Sequence, residues 1–427
     1  MTTAPVRLAM LGCGCAADLY MPVFAHLVEG RLEAVVDIDR AAAEGLARRY
    51  YAPKVYTDVR AAAADPAIDA FIIGTPPNWH AEHTELAAAA GKHVLCEKPM
   101  AATVVDCQRM IDACHKRGVK LQMGHMKRFM RGNQKVKAIV DSGVLGKIFM
   151  VECHWDCGVP GLVSSYREKE ATAGGSLQDH GPHSFDLVRW WTGNDILEVS
   201  ASMRSVHPGR PAEDAVISVL EHENGMFSYH HMTRISYGRE HTQDAYRLYG
   251  TNGTLVVRND HHFPTTSLES PEIILYAPGG IIHRYEVWNG WNQDDTIRQS
   301  YAFYNQTRAF CECILNDSEP LVTGEDSMHT MQAVLAAYVS SWRGIKVKLP
   351  FTEEVDLRQL FREVKARDRA TLGEGYTVAE PQTVWPDLPD PLFGHRPPRT
   401  KEHWDYAKHG AMDSARRVSL SGRLEDK

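Results

Sequence analysis

No apolar run in this 427-residue chain approaches the roughly 20 residues that cross a bilayer as a helix, so no membrane span is expected. Basic charge is also in short supply. Lys and Arg number 47 against 54 Asp and Glu, for a net charge of -7 and a pI near 6.3. Phosphate polymers and anionic lipid surfaces are bound by clustered Lys and Arg, so neither nucleic acid nor membrane is expected as the main partner. No export signal is expected either. Leu8-Ala9-Met10-Leu11-Gly12-Cys13 looks superficially like a lipoprotein signal. Its apolar core falls short of the roughly 7–15 residues required, and only Arg7 precedes it as a base. A buried first strand is the better reading. Nine cysteines without such a signal fit reduced thiols in a cytoplasm. Neither Cys153 and Cys157 nor Cys311 and Cys313 has neighbours that complete a zinc set. The 21 histidines include His230-His231 and His261-His262 but no HExxH spacing, so no metal is expected. Internal repeats are absent.

What is present is an ordinary globular composition, 44% hydrophobic and 24% charged, on a chain long enough for two cores. Val6 to Leu11, Leu32 to Ile38, Ala70 to Gly74, His93 to Cys96 and Lys120 to Gly124 read as short buried strands. Asp18 to Glu29, Ala41 to Tyr50, His80 to Ala90 and Val104 to Arg117 read as the helices between them. Strands alternating with helices over short loops imply a parallel sheet covered on both faces, here over residues 1–125.

The pattern changes near residue 125. Helices are expected over Gln134 to Ser142, Leu177 to Trp191, Tyr301 to Leu315 and Ser327 to Trp342. Strands are expected over Ile148 to Cys157, Glu198 to Val206, Ala215 to Glu221, Met226 to Thr233, Tyr246 to Tyr249, Thr254 to Val257 and Ile273 to Tyr276. The turns Glu223-Asn224-Gly225 and Thr251-Asn252-Gly253 join consecutive strands, which implies a mainly antiparallel open sheet in a second, α+β domain over 126–375. Residues 376–427 form a Pro-rich, then charged, tail or arm.

The first glycine cluster, Gly12-Cys13-Gly14-Cys15-Ala16-Ala17, follows a strand and opens a helix. Its first glycine permits a tight turn, its second lets backbone approach a pyrophosphate, and its small third residue lets helix and strand pack closely. Asp37, followed by Ile38, ends the second strand about 20 residues later, where a carboxylate would bond the adenosine ribose hydroxyls. That favours NAD, and Arg40 keeps NADP open.

Two further constellations carry chemistry. Lys98, in Cys96-Glu97-Lys98-Pro99, stands just past the fourth strand, at the edge that borders the ligand crevice of such sheets. It could stabilise a developing alkoxide. Asp179 and His183 are four residues apart on one helix and share a face. An imidazole beside a carboxylate suits removal of a hydroxyl proton as hydride leaves carbon. The same spacing also describes a helix N-terminus with a satisfied core histidine. Pro182 is tolerable in that helix if it starts late.

Taken in order, the glycine turn, Gly74-Thr75-Pro76-Pro77-Asn78-Trp79-His80, Ala90-Gly91-Lys92-His93-Val94-Leu95-Cys96-Glu97-Lys98-Pro99 and Asp179-x-Gly181-x-His183 closely resemble the glucose-fructose oxidoreductase/inositol dehydrogenase/rhizopine catabolism family. The resemblance spans residues 5–350, with Asp141-Ser142-Gly143-x-Leu145-Gly146 and the stretch from Ala309-Phe310 to Lys346. It implies that Lys98, Asp179 and His183 form the catalytic trio, with Asp179 tuning His183. It also implies that Thr75, Pro76, Asn78, His80 and Glu97 approach the nicotinamide half of the cofactor. Lys127 and Arg128 stand where such proteins place a basic pair beside the pocket, and Trp155 lies on a strand used for substrate contacts. The implied activity is NAD(P)-dependent oxidation of a secondary hydroxyl on a sugar, glycoside or cyclitol. Helices on one side leave a sheet face exposed, which with the Pro-rich tail suggests a homodimer or homotetramer. An NAD-retaining glycosidase or epimerase, and a ligand-sensing regulator on the same fold, stay open as alternatives. Residues 258–299, with Trp288-Asn289-Gly290-Trp291, and the tail match nothing in the resemblance.

Overall fold

The computed structural model describes residues 4–156, 174–206, 212–235, 241–262, 272–285, 287 and 295–372. Strands β1 (Val6–Leu11), β2 (Gly30–Val36), β3 (Lys54–Tyr56), β4 (Ala70–Ile73), β5 (His93–Glu97) and β6 (Leu121–Gly124) pair in parallel in the order β3-β2-β1-β4-β5-β6. Helices α1 (Cys15–Tyr20), α2 (Arg40–Tyr50), α3 (Val59–Ala63), α4 (His80–Ala89) and α5 (Val104–Arg117) connect them. All four residues of β4 are fully buried, as a strand covered on both faces requires. Local chemistry sets the helix ends. Asp39 caps α2 through the amides of Ala41 and Ala42, and Thr103 caps α5 through that of Asp106. Gly118 closes α5 at φ 63°, a left-handed position that suits glycine. The strand order reverses between β1 and β4, which opens a crevice at their carboxyl ends.

The second sheet holds nine strands, β7 (Ile148–Asp156), β8 (Ile196–Arg204), β9 (Ala215–His222), β10 (Phe227–Thr233), β11 (His241–Gly250), β12 (Gly253–His262), β13 (Glu272–Ala277), β14 (Ile281–Tyr285) and β15 (Val347–Lys348). Their order is β14-β13-β12-β11-β7-β10-β9-β8-β15. Every pairing is antiparallel except β7 with β10. Helix α6 (Arg131–Asp141) packs on α7 (Ser176–Thr192), which lies on β7 and β10. Helix α8 (Asp295–Leu315) precedes α9 (Gly324–Arg343), which packs on α7 and β8. The last helix, α10 (Leu357–Leu372), touches β8. Val151, Cys153 and Trp155 of β7 point to the helices and are buried. On the opposite side, residues in cross-strand register include Ile217, Phe227 and Tyr276, which are exposed.

Helix α8 returns to the first sheet, where Phe303 meets Tyr20 edge-on at 4.9 Å and Phe310 and Cys311 join the core of β1 and β2. The two sheets are therefore bound by a shared helical layer.

Several expectations need correction. The helix expected over Asp18 to Glu29 stops at Tyr20 and gives way to a 3-10 turn, Met21–Ala25, where Pro22 has no amide hydrogen to continue an α-helix. Strand β3 and helix α3 are too short to leave a periodic signal. Helix α7 starts at Ser176, so Pro182 lies well inside it rather than in a late first turn. Strand β14 lies in the stretch without counterpart in the resemblance, and α10 had no assignment. The Pro-rich tail, Cys157 and Trp288 to Trp291 lie outside the described residues.

Candidate active site

The crevice begins at the glycine turn. Gly12 has φ +94°, and a Cβ there would come within 3.0 Å of the Gly74 carbonyl, so only glycine fits. A Cβ on Gly14 would meet nothing within 4 Å, which leaves that side of the turn open to a ligand. A Cβ on Gly74 would lie 3.0 Å from Ala16 Cβ, so strand and helix pack too closely for larger residues. Ala17 is fully buried, Cys13 is half-buried and Cys15 is exposed. Asp37 holds the turn, accepting from the Cys13 amide at 2.7 Å with one oxygen and from the Asp39 amide at 2.9 Å with the other. Ile38 is exposed. An open glycine cradle with a carboxylate fixed at the end of β2 fits a dinucleotide.

Across the crevice, Thr75, Pro76 and Asn78 follow β4, with Asn78 exposed and the other two half-buried. Thr75 Oγ1 lies 3.0 Å from His83 Nδ1. His80 is fully buried and its ring nitrogens face backbone carbonyls. Glu97 accepts from Tyr20 Oη at 2.7 Å and from the Lys98 amide at 3.1 Å. A Cβ at Gly124 would lie 2.9 Å from Glu97 Cα, so glycine on β6 makes room for it.

Lys98 and Asp179 meet. The ammonium donates to the Asp179 carbonyl at 3.0 Å and to its carboxylate at 3.3 Å. Arg234, just past β10, donates to the other carboxylate oxygen at 2.5 Å. Sequence reasoning missed Arg234, because the end of β10 carries no motif. His183 is buried and its Nδ1 has no hydrogen-bond partner among the described residues. Burial, then the charges of Lys98 and Lys127, hold its pKa well below the usual imidazole range.

Trp155 stacks on His180 at 4.5 Å with an interplanar angle of 9°. Lys127 pairs with Asp244, and His180 Nε2 lies 3.6 Å from the same carboxylate. Arg128 is committed elsewhere, donating to Asp186 of α7 at 2.9 and 2.6 Å and to Asp326 of α9 at 2.5 Å. It pins the two helices together. A second residue absent from the sequence reading, Glu213, caps α7. Its carbonyl accepts from the Ser176 amide at 3.1 Å and its carboxylate from the Leu177 amide at 2.8 Å. Burial raises the Glu213 carboxyl to about 7. Gly175 leaves room for it, since a Cβ there would fall 1.8 Å from Glu213 Oε2. The site thus joins an open dinucleotide cradle to a neutral imidazole and a fixed ammonium, the parts needed to deprotonate a hydroxyl and stabilise its oxygen. Among the described residues no cluster of three metal-ligating side chains occurs, and no helix is long and apolar enough to cross a membrane.

Comparison with known proteins identifies the family. Residues 6–125 match the model of an oxidoreductase family with an NAD-binding Rossmann fold, and residues 133–256 match the GFO/IDH/MocA C-terminal domain. A D-apiose dehydrogenase of Paraburkholderia graminis is 24% identical over 81% of this chain and 90% of its own length. An inositol 2-dehydrogenase of Saccharopolyspora erythraea is 31% identical over 52% of this chain and 64% of its own. The structure of an aldose-aldose oxidoreductase from Caulobacter crescentus, complexed with glycerol, superposes with a TM-score of 0.69 at 29% identity, over 81% of this chain and 100% of that one. With both family domains present in order, this chain belongs to the glucose-fructose oxidoreductase/inositol dehydrogenase/rhizopine catabolism family and is an NAD(P)-dependent dehydrogenase.

Proposed function

We propose that this enzyme oxidises a secondary hydroxyl of a sugar, glycoside or cyclitol, with His183 as the base and Lys98 as the stabiliser of the oxygen. The dinucleotide, when bound, supplies a hydride acceptor at nicotinamide C4. Gly12, Gly14 and the amides around Cys13 and Cys15 would hold its pyrophosphate, and Asp37 its adenosine ribose. His183 takes the hydroxyl proton, and its burial keeps it neutral and ready to do so. Lys98, fixed by Asp179, meets the developing alkoxide with a positive charge. Trp155, stacked on His180, would offer an aromatic face to the apolar side of a sugar ring.

The observation that carries the reading is the Lys98–Asp179 bond, 81 residues apart in sequence, joining the turn after β5 to the helix that bears His183. Names of relatives that act on apiose, inositol and aldoses support the substrate class. The exposed Ile217, Phe227 and Tyr276 on the open face of the second sheet support assembly as a homodimer or homotetramer. Initial rates against hexoses, inositols and glycosides, with NAD and NADP in parallel, test the reading. Net NADH formation with at least one polyol is expected. Product turnover without net NADH would favour a glycosidase or epimerase that keeps its cofactor.

A further inference from the structure

We propose that His80 is a buried imidazolium that clamps the cofactor-side loop at Thr75 to the turn that carries Lys98. The inference starts from geometry. Nε2 lies 2.7 Å from the Thr75 carbonyl. Nδ1 lies 3.1 Å from the Pro99 carbonyl and 3.1 Å from the Met100 carbonyl. All three partners are oxygens with lone pairs and no hydrogen to give. A neutral imidazole carries one N–H, so one of its nitrogens would present a lone pair to a carbonyl. With the proton on Nε2, two carbonyls face the bare Nδ1. With the proton on Nδ1, a carbonyl at 2.7 Å faces the bare Nε2. Only the doubly protonated ring donates on both sides.

Burial is the larger influence and lowers the His80 pKa below the ordinary imidazole value, while the carbonyls of Thr75, Met100 and Pro99 raise it, so the proposal rests on the three short contacts to oxygens that cannot donate. The ring is fully buried, so a lone pair held against a carbonyl is not relieved by solvent, and the charge-assisted bonds gain strength in the same dry surroundings. The 2.7 Å contact is in the short range of such bonds. On the same helix, His83 is the other titratable ring near the loop. Burial and then the His80 charge press it down to about 4, so it stays neutral with Nδ1 beside Thr75 Oγ1.

The clamp joins two loops that leave adjacent strands, β4 and β5. One borders the cofactor crevice and the other sets Lys98. His80 is therefore a positioning residue, holding the backbone one and two residues beyond Lys98. Its effect on turnover rests on Lys98 acting in the proposed reaction, but the charge of the ring does not.

Neutron diffraction from the deuterated full-length chain at neutral pH reads the ring directly. Deuterons on both Nδ1 and Nε2 are expected, and one bare nitrogen would overturn the proposal, whatever substrate the enzyme uses. Kinetics then read the clamp. His80→Gln can donate to one side only and turns an oxygen to the other. Its turnover should fall roughly 10²-fold, the scale of a displacement near 1 Å at a reacting group, while KM for NAD changes less. A folded His80→Gln enzyme with wild-type turnover would overturn the clamp. Should that variant not fold, the neutron result on the wild type decides alone.

Discussion

Arg234 and Lys98 bind the same carboxylate, that of Asp179, from opposite oxygens at 2.5 and 3.3 Å. Two cations on one anion leave net positive charge at the place where an alkoxide would form. Asp179 thereby anchors Lys98.

Asp179→Asn should therefore be damaging rather than mild. It leaves Arg234, only 3% exposed at its side chain, and Lys98 side by side without their anion. Loss of one partner from such a pair costs about 3 kcal/mol or more when it is fully dry. A fall in Tm together with a fall in kcat is expected. An Asn variant that keeps its Tm and only shifts its pH profile would restore the tuning role expected from spacing.

Arg234→Met tests the second cation. With Arg234 gone, Asp179 serves Lys98 alone and stabilises its charged form more strongly. An alkaline limb set by loss of the Lys98 charge should move to higher pH, and Arg234→Lys should return it most of the way. An unchanged profile in a folded Met variant would remove Arg234 from the site.

Acid should destabilise the enzyme through its buried histidines. Burial lowers His180 and His222 from 6.5 to about 4 each. Between those values the unfolded chain binds protons that the folded chain refuses, so stability falls as pH drops below about 6.5. Each group can withdraw about 3 kcal/mol by the acid end of that window. Thermal melts from pH 7 to 4 should show the loss, and His222→Gln should flatten it. A Tm independent of pH over that range would contradict the assignment.

Cofactor choice should follow Asp37. Asp37→Ser removes the carboxylate expected at the ribose and releases the Cys13 amide that it holds. NAD affinity should fall, and NADP should improve relative to it. A wild-type enzyme that strongly prefers NADP would place the ribose contact elsewhere.

Much of this arrangement was legible in the sequence, for reasons that differ from residue to residue. Gly12 and Gly14 follow an apolar run and precede a helix, a local pattern that fixes the crevice without tertiary knowledge. Lys98, Asp179 and His183 were found through motif order, and the fold brings Lys98 to Asp179. Arg234 and Glu213 were not legible, because their meaning comes from strands that reach α7 across the sheet. Arg128 was expected beside the pocket, but a basic pair does not reveal that Asp186 and Asp326 will claim one member. The motif order implies only that His80 approaches the cofactor. Only the three surrounding carbonyls show that its nitrogens are already occupied.

The central claim is that His183 removes the hydroxyl proton. It is tested most directly by measuring Tm and turnover on the same preparations of wild type and His183→Ala, with a polyol that the wild type oxidises. The account expects turnover to fall by roughly 10²–10⁴-fold, the usual worth of a positioned base, while the folded fraction still binds NAD. Because burial and nearby cations hold His183 below the ordinary imidazole range, the wild-type rate should show no acid limb from this group near pH 6.5. A His183→Ala enzyme with a lowered Tm and near-normal turnover would make His183 a core residue and contradict the mechanism.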